Sequence, residues 1–133
     1  MKAEPILTGT ARGPVLRLDR PLSFWGGVDP ATGALLYPDG AGTAVAGTVL
    51  MLPGTIGSSS SSAILLELLR NGLAPAALVL DRIDAILGLG ILAAGEMGWP
   101  TIPLLILPAA EQRQFASGML VEIDEAGSIQ PIA

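Results

Sequence analysis

Five consecutive serines, Ser58 to Ser62, follow Gly57 in the stretch "PGTIGSSSSSAILLELL", which runs from Pro53 to Leu69. A glycine turn leading through hydroxyls into a helix gathers O–H and unpaired backbone N–H donors. They meet where the helix dipole favours negative charge. The chemistry this suits is the holding of a carboxylate or phosphate. The same residues also make an ordinary helix start, because serine is a preferred N-cap and Ser61 or Ser62 fits that role. One cap needs one serine, not five. A flexible linker is a poor third reading, because an apolar run precedes the loop and a leucine-rich helical pattern follows it. From these residues alone, the anion cradle and the plain capped turn both stay open.

A second stretch, "FWGGVDPATG", places Gly26 and Gly27 beside Asp29 and Thr32. Trp25 with two glycines reads first as core plus turn, and Asp29 before Pro30 as an Asx-turn residue. The same stretch also offers a second wall for a site, with exposed backbone at Gly26 and Gly27 and a carboxylate at Asp29.

Other chemistries are excluded or weakened by residue type. The chain has no cysteine and no histidine, so it holds no disulfide, thiol nucleophile, Ser-His-Asp triad, His-ligated zinc or phosphohistidine. The serine loop lacks the lysine of a P-loop, and Lys2 is remote in sequence. No G-x-S-x-G elbow occurs. "GLGILA", from Gly88 to Ala93, matches G-x-G-x-x-A in form. Asp81, Arg82 and Asp84 precede it where a dinucleotide site needs a clean strand, so close packing of a buried segment is the better reading.

The elements that must position these residues belong to one domain of 133 residues, 50% hydrophobic and 14% charged. The formal charge is −5, and the six arginines are scattered in sequence. No basic stripe offers itself to nucleic acid or to an anionic membrane surface. The N-terminal residues show no signal-peptide pattern, which leads to the expectation of a cytoplasmic protein. The apolar run from Ala85 to Gly95 is far shorter than the ~20 residues of a membrane span.

Loose alternation over Ile6 to Leu18 predicts strands broken by a bulge or turn. A short strand is expected around Ser23 to Trp25, and a mostly buried one over "TAVAGTVLML". "AILLELLRNGLAP" predicts a helix on the face of Ile64, Leu65, Leu68 and Leu69, stopped at Asn71-Gly72. "AALVLD" and "IPLLIL" read as buried strands, and Ile83 to Gly95 as weakly helical or irregular. "PAAEQRQFAS" reads as a helix and "MLVEIDEAGSIQPI" as a terminal hairpin. Together they predict an α/β sandwich or barrel with a mixed sheet.

Taken together, "LSFWGGVDPATG", "LPGTIGSSSSSAILLELLRNGLAP" and "GEMGWPTIPLL" resemble the swivel-domain subunit of the aconitase X family, in the family's order and spacing. The resemblance covers nearly the whole chain. It implies a swivelling β/β/α fold and a larger partner subunit that carries the iron–sulfur cluster or iron. It also implies dehydration of a small anionic substrate, either cis-3-hydroxy-L-proline or mevalonate 5-phosphate.

In aconitase-like enzymes a serine just after a glycine removes the proton beside a carboxylate. The matching position is Ser58, after Gly57, with Ser59 and Ser62 placed to bind the carboxylate or cap the helix. Such a base needs donors at the helix start, and an arginine expected from the partner, to stabilise its alkoxide. Many relatives carry a basic residue where this chain has Ile56, so the hydroxyproline substrate is favoured here. The Tyr37-Pro38 turn also lacks a histidine that some relatives carry. A non-catalytic anion-binding module on the same scaffold is the competing account. A free-standing phosphotransfer domain is excluded by the missing histidine. A chain this apolar is further expected to expose a hydrophobic face when alone, and to be inactive without its partner.

Overall fold

The computed structural model describes residues 1–36, 42–56 and 59–132, with the backbone alone described for Ser59. Among these residues seven strands form one sheet: β1 (Glu4–Leu7), β2 (Ala11–Arg17), β3 (Val49–Leu52), β4 (Ala77–Leu80), β5 (Leu104–Ile106), β6 (Leu120–Ile123) and β7 (Ile129–Pro131). Their order is β1-β5-β4-β3-β2-β6-β7. Strands β2, β3, β4 and β5 run parallel, while β1, β6 and β7 join antiparallel at the flanks. The two flanks also meet. Lys2 bridges Ser128, Ala3 N–H donates to Gly127 O at 2.9 Å, and Ile129 N–H donates to Met1 O at 2.7 Å. The sheet is therefore curled into a barrel, which leaves few open edges.

Alternation along the parallel strands divides the core in two. Val49 and Met51, Ala77 and Val79, and Leu105 point into the barrel, where they meet Val15, Phe115, Val121, Ile123 and Ile129. Leu50, Leu52, Leu78, Leu80 and Leu104 point outward and pack under two helices, α2 (Ser59–Asn71) and α3 (Ala85–Glu96). All four residues of β3 and of β4 are consequently buried. That is why both strands read as continuous apolar runs rather than alternating ones. The hairpin β6–β7 has one face to solvent, and β6 alternates exposed and buried residues as expected.

Each parallel strand from β3 onward feeds a helix at its carboxyl end: β3 into α2, β4 into α3, and β5 into the short α4 (Ala109–Gln112). Gln112 is buried there and donates through Nε2 to Leu52 O at 2.8 Å and Leu107 O at 3.0 Å. It pins α4 over the ends of β3 and β5.

Several expectations need correction. Ser23 to Trp25 is not a strand but the entry to α1 (Phe24–Gly27), a single turn in which Trp25 has φ −72° and ψ 115° and Gly26 has φ 80° and ψ −10°. Those are the central values of a type II turn, which demands glycine at its third position. Of "TAVAGTVLML" only Val49–Leu52 is strand, because Gly47, at φ 71°, turns the chain before it. The segment read as weakly helical is a full helix, α3, whose N-terminus is capped by Asp84. The helix expected over "PAAEQRQFAS" is the single turn α4, preceded by Pro108. Helix α2 begins at Ser59, so Ser61 and Ser62 lie inside its first turn and neither is its cap. It ends as expected, with Gly72 at φ 71°. No helix among the described residues is long and apolar enough to cross a membrane.

Candidate functional site

The carboxyl ends of the parallel strands, where open α/β sheets bind ligands, bring together the segments that follow β3 and β4. After β3 the chain continues as Pro53 to Ile56, held almost as a strand. Leu22 bridges Thr55, Leu22 N–H donates to Gly54 O at 3.2 Å, and Ile56 N–H donates to Leu22 O at 2.9 Å. This pairing fixes the approach to the serine run. Gly57 and Ser58 themselves lie outside the described residues, as does the Tyr37-Pro38 turn.

Beyond them α2 starts at Ser59, with no acidic residue in its first turn. Ser60 is exposed. Ser61 is buried, its hydroxyl 3.4 Å from Ile56 O and 3.5 Å from Ser23 Oγ. Ser62 donates to Ile86 O of α3 at 3.0 Å. A Cβ at Gly90 would stand 2.3 Å from Ser62 Oγ, so α2 and α3 approach there only because Gly90 has no side chain. The hydroxyls of Ser61 and Ser62 thus lock the loop and its helix in place.

The second predicted wall is adjacent in part. Ser23, which leads into α1, donates to Trp25 O at 2.9 Å, and its contact with Ser61 sets the Trp25-Gly26-Gly27 turn against the start of α2. Gly26 is exposed, while Gly27 is buried and accepts from Leu36 N–H at 2.9 Å. Asp29 is turned to its own loop: Oδ1 accepts from Ala31 N–H at 2.9 Å, which closes an Asx-turn.

Two residues that the sequence reading passed over hold the other side. Asp84 accepts from Ile86 N–H at 3.0 Å and Leu87 N–H at 3.1 Å through Oδ1, and from the Thr55 hydroxyl through Oδ2. One carboxylate therefore caps α3 and ties it to the serine loop. Arg82 lies against Gly54. The signal for Asp84 was present, since an Asp before a long apolar helical run is an N-cap pattern. Arg82 gave none.

The arginines scattered in sequence are partly collected by the fold. Arg17 ends β2, Arg82 follows β4 and Arg113 follows α4, all at this same edge. Arg17 is already engaged, with Asp19 at 2.7 Å and Phe115 O at 2.9 Å. A shallow groove at the opposite end, lined by Leu7, Thr8, Ile91, Thr101 and Ile102 among others, contains no titratable group.

Parallel strands feeding helices, a curled sheet and a hydroxyl-rich loop at the carboxyl edge define a small α/β swivel-type domain. The family profile of the aconitase X swivel domain matches residues 1–131, and the chain belongs to that family. The chain is 30% identical to the protein in the crystal structure of Thermococcus kodakaraensis aconitase X in its holo form. That match has a TM-score of 0.85 and covers 99% of this chain and 97% of that one. It is 33% identical to the phosphomevalonate dehydratase small subunit of Pyrococcus furiosus, over 100% of this chain and 96% of the relative. It is 34% identical to the cis-3-hydroxy-L-proline dehydratase of Hypocrea jecorina over 92% of this chain. The chain spans about a fifth of that enzyme's length, the match covering 21% of it. The mixed, curled α/β fold expected from the sequence resemblance is the fold observed.

An iron–sulfur cluster finds no ligands on this chain. Cysteine and histidine are absent from the sequence, and among the described residues no three carboxylates gather as a metal site. The residues present do not fit such a group, and no step on this chain passes through one.

Proposed function

We propose that this chain is the small subunit of an aconitase-X-type dehydratase, with Ser58 as the general base. The observation that carries the proposal is the serine run after Gly57, opening α2 at the carboxyl edge of a domain of this family. Ser58 takes the proton from the carbon beside the substrate carboxylate. Backbone donors at the start of α2 stabilise the alkoxide and the adjacent anion. Ser62 holds α2 against α3, and the Gly26-Gly27 turn walls the loop on its other side. Asp29 keeps the connection after that turn closed. The hydroxyl leaves the neighbouring carbon, and with the proton it departs as water.

The remainder of the enzyme is a large partner subunit. That subunit would hold the iron–sulfur cluster or iron, which would supply Lewis acidity at the leaving hydroxyl. Support for a second body comes from the exposed apolar side chains: Trp25 and Ile83 near the loop are 65% and 61% exposed, and Leu89 on α3 is 65% exposed. A cytoplasmic setting is part of this reading.

For the substrate we favour cis-3-hydroxy-L-proline, giving a pyrroline-2-carboxylate. Ile56 is 59% exposed beside the loop and offers nothing to a phosphate. The second reading, phosphomevalonate, is favoured by the full-length match to the Pyrococcus furiosus small subunit. Co-expression with the large subunit, anaerobic cluster reconstitution and assay of both compounds separate the two. Turnover of hydroxyproline is expected. Turnover of phosphomevalonate alone would transfer the assignment, and turnover of neither would leave the anion-binding module as the better account.

A further inference from the structure

Gly54 is buried, yet it is not among the glycines with left-handed backbone angles, so its own conformation does not call for glycine. Its nearest neighbour there is Arg82. A Cβ at position 54 would stand 3.1 Å from Arg82 Nε, 3.7 Å from a terminal guanidinium nitrogen and 3.8 Å from Cγ. The arginine crosses the loop so closely that a side chain at position 54 would press it aside by a few tenths of an ångström. Strand register explains the meeting: β3 and β4 pair Leu52 with Leu80, which sets Gly54 level with Arg82 two residues on.

The nearby acids do not neutralise it. Asp84 spends both oxygens on Ile86 N–H, Leu87 N–H and Thr55, and Asp81 accepts from Ala109 N–H at 2.9 Å. Among the described residues the ion pair at this edge is Arg17 with Asp19, and Arg82 forms none. A guanidinium is thus held against the approach to the serine run, exposed and unneutralised.

We propose that Arg82, lying over Gly54, binds the carboxylate of the substrate. The role rests on the dehydratase reading and is separate from that of the arginine expected from the partner at the alkoxide. Guanidinium suits the task, because its planar fork meets both carboxylate oxygens.

The test uses the assembled, reconstituted enzyme. Wild type, Arg82→Gln, Arg82→Lys and Gly54→Ala are compared by steady-state kinetics on cis-3-hydroxy-L-proline and on phosphomevalonate, with assembly followed by gel filtration. Losing a charged hydrogen-bond partner raises KM by about ten- to a hundredfold in Arg82→Gln. Arg82→Lys recovers part of this, Gly54→Ala falls between, and kcat changes far less than KM. An unchanged KM in Arg82→Gln on an active wild-type background overturns the proposal. So does a fall in kcat alone, or a complex that no longer assembles. A rise confined to phosphomevalonate, with hydroxyproline turned over normally, assigns Arg82 to phosphate and overturns the carboxylate role. A wild-type complex inactive on both compounds removes the functional reading itself, and this role with it.

Discussion

Helices α2 and α3 start side by side at the same edge of the same parallel strands, yet their first turns are closed in opposite ways. Asp84 supplies α3 with its own anion, accepting from Ile86 N–H and Leu87 N–H. Asp81 does the same for α4 through Ala109 N–H. Helix α2 is entered through glycine and serines, carries no acid in its first turn, and has no carboxylate in the sequence between Asp39 and Glu67. A carboxylate at a helix start satisfies the free amides and cancels the favourable potential there. Neutral hydroxyls leave that potential to an incoming anion. Two of the three starts are closed by carboxylates, and in the proposed function the third receives the substrate.

The comparison is broken most strongly by giving α2 the closure that α3 already has. Ser59→Asp in the assembled enzyme is expected to lower kcat/KM by about a hundredfold, the scale of a like charge placed ~5 Å from the substrate anion in a partly solvated site. The isosteric Ser59→Asn retains most activity, and the aspartate variant of the isolated chain melts higher. Equal losses in both variants would show that shape, not charge, governs this position.

Opening α3 is the converse. Asp84→Ala removes its cap and the tie to Thr55, at a cost of about 1–2 kcal/mol in urea unfolding. A stability change within experimental error would mean that α3 does not depend on its carboxylate. Smaller still is Thr55→Val, which deletes the hydroxyl but leaves the cap. We expect a loss of about 0.5–1.5 kcal/mol, with substrate KM shifted because the loop is no longer anchored to α3. The Thr55→Val change added to Asp84→Ala should cost little more, since both act on one bond.

The strands under the helices were legible because burial on both faces leaves only apolar residues, as in "VLML" and "ALVL". Helix α2 was legible from its apolar stripe and its Asn71-Gly72 stop. Helix α3 hid the same periodicity, being apolar almost all round, with Leu89 exposed on one side and Leu87 and Ile91 buried on the other. Its Gly88 and Gly90 looked like helix breakers. Gly90 is instead the contact that admits Ser62, a reason that exists only once two helices are packed. The serine run was visible as chemistry, but that Ser61 and Ser62 pack inside α2 rather than cap it depended on where α2 begins. Arg82 was out of reach for a similar reason. Its partner, Gly54, is set by strand register and not by proximity in the chain.

The most direct test of the account is single-turnover dehydration by the reconstituted two-subunit enzyme with Ser58→Ala beside wild type, substrate binding being measured separately. The account predicts unchanged assembly and a dissociation constant close to wild type. The chemical step slows by about a hundredfold or more, as removal of a general base requires. A variant that binds equally well and turns over at the wild-type rate would contradict it, placing the base on the large subunit and leaving the serine run a structural helix start.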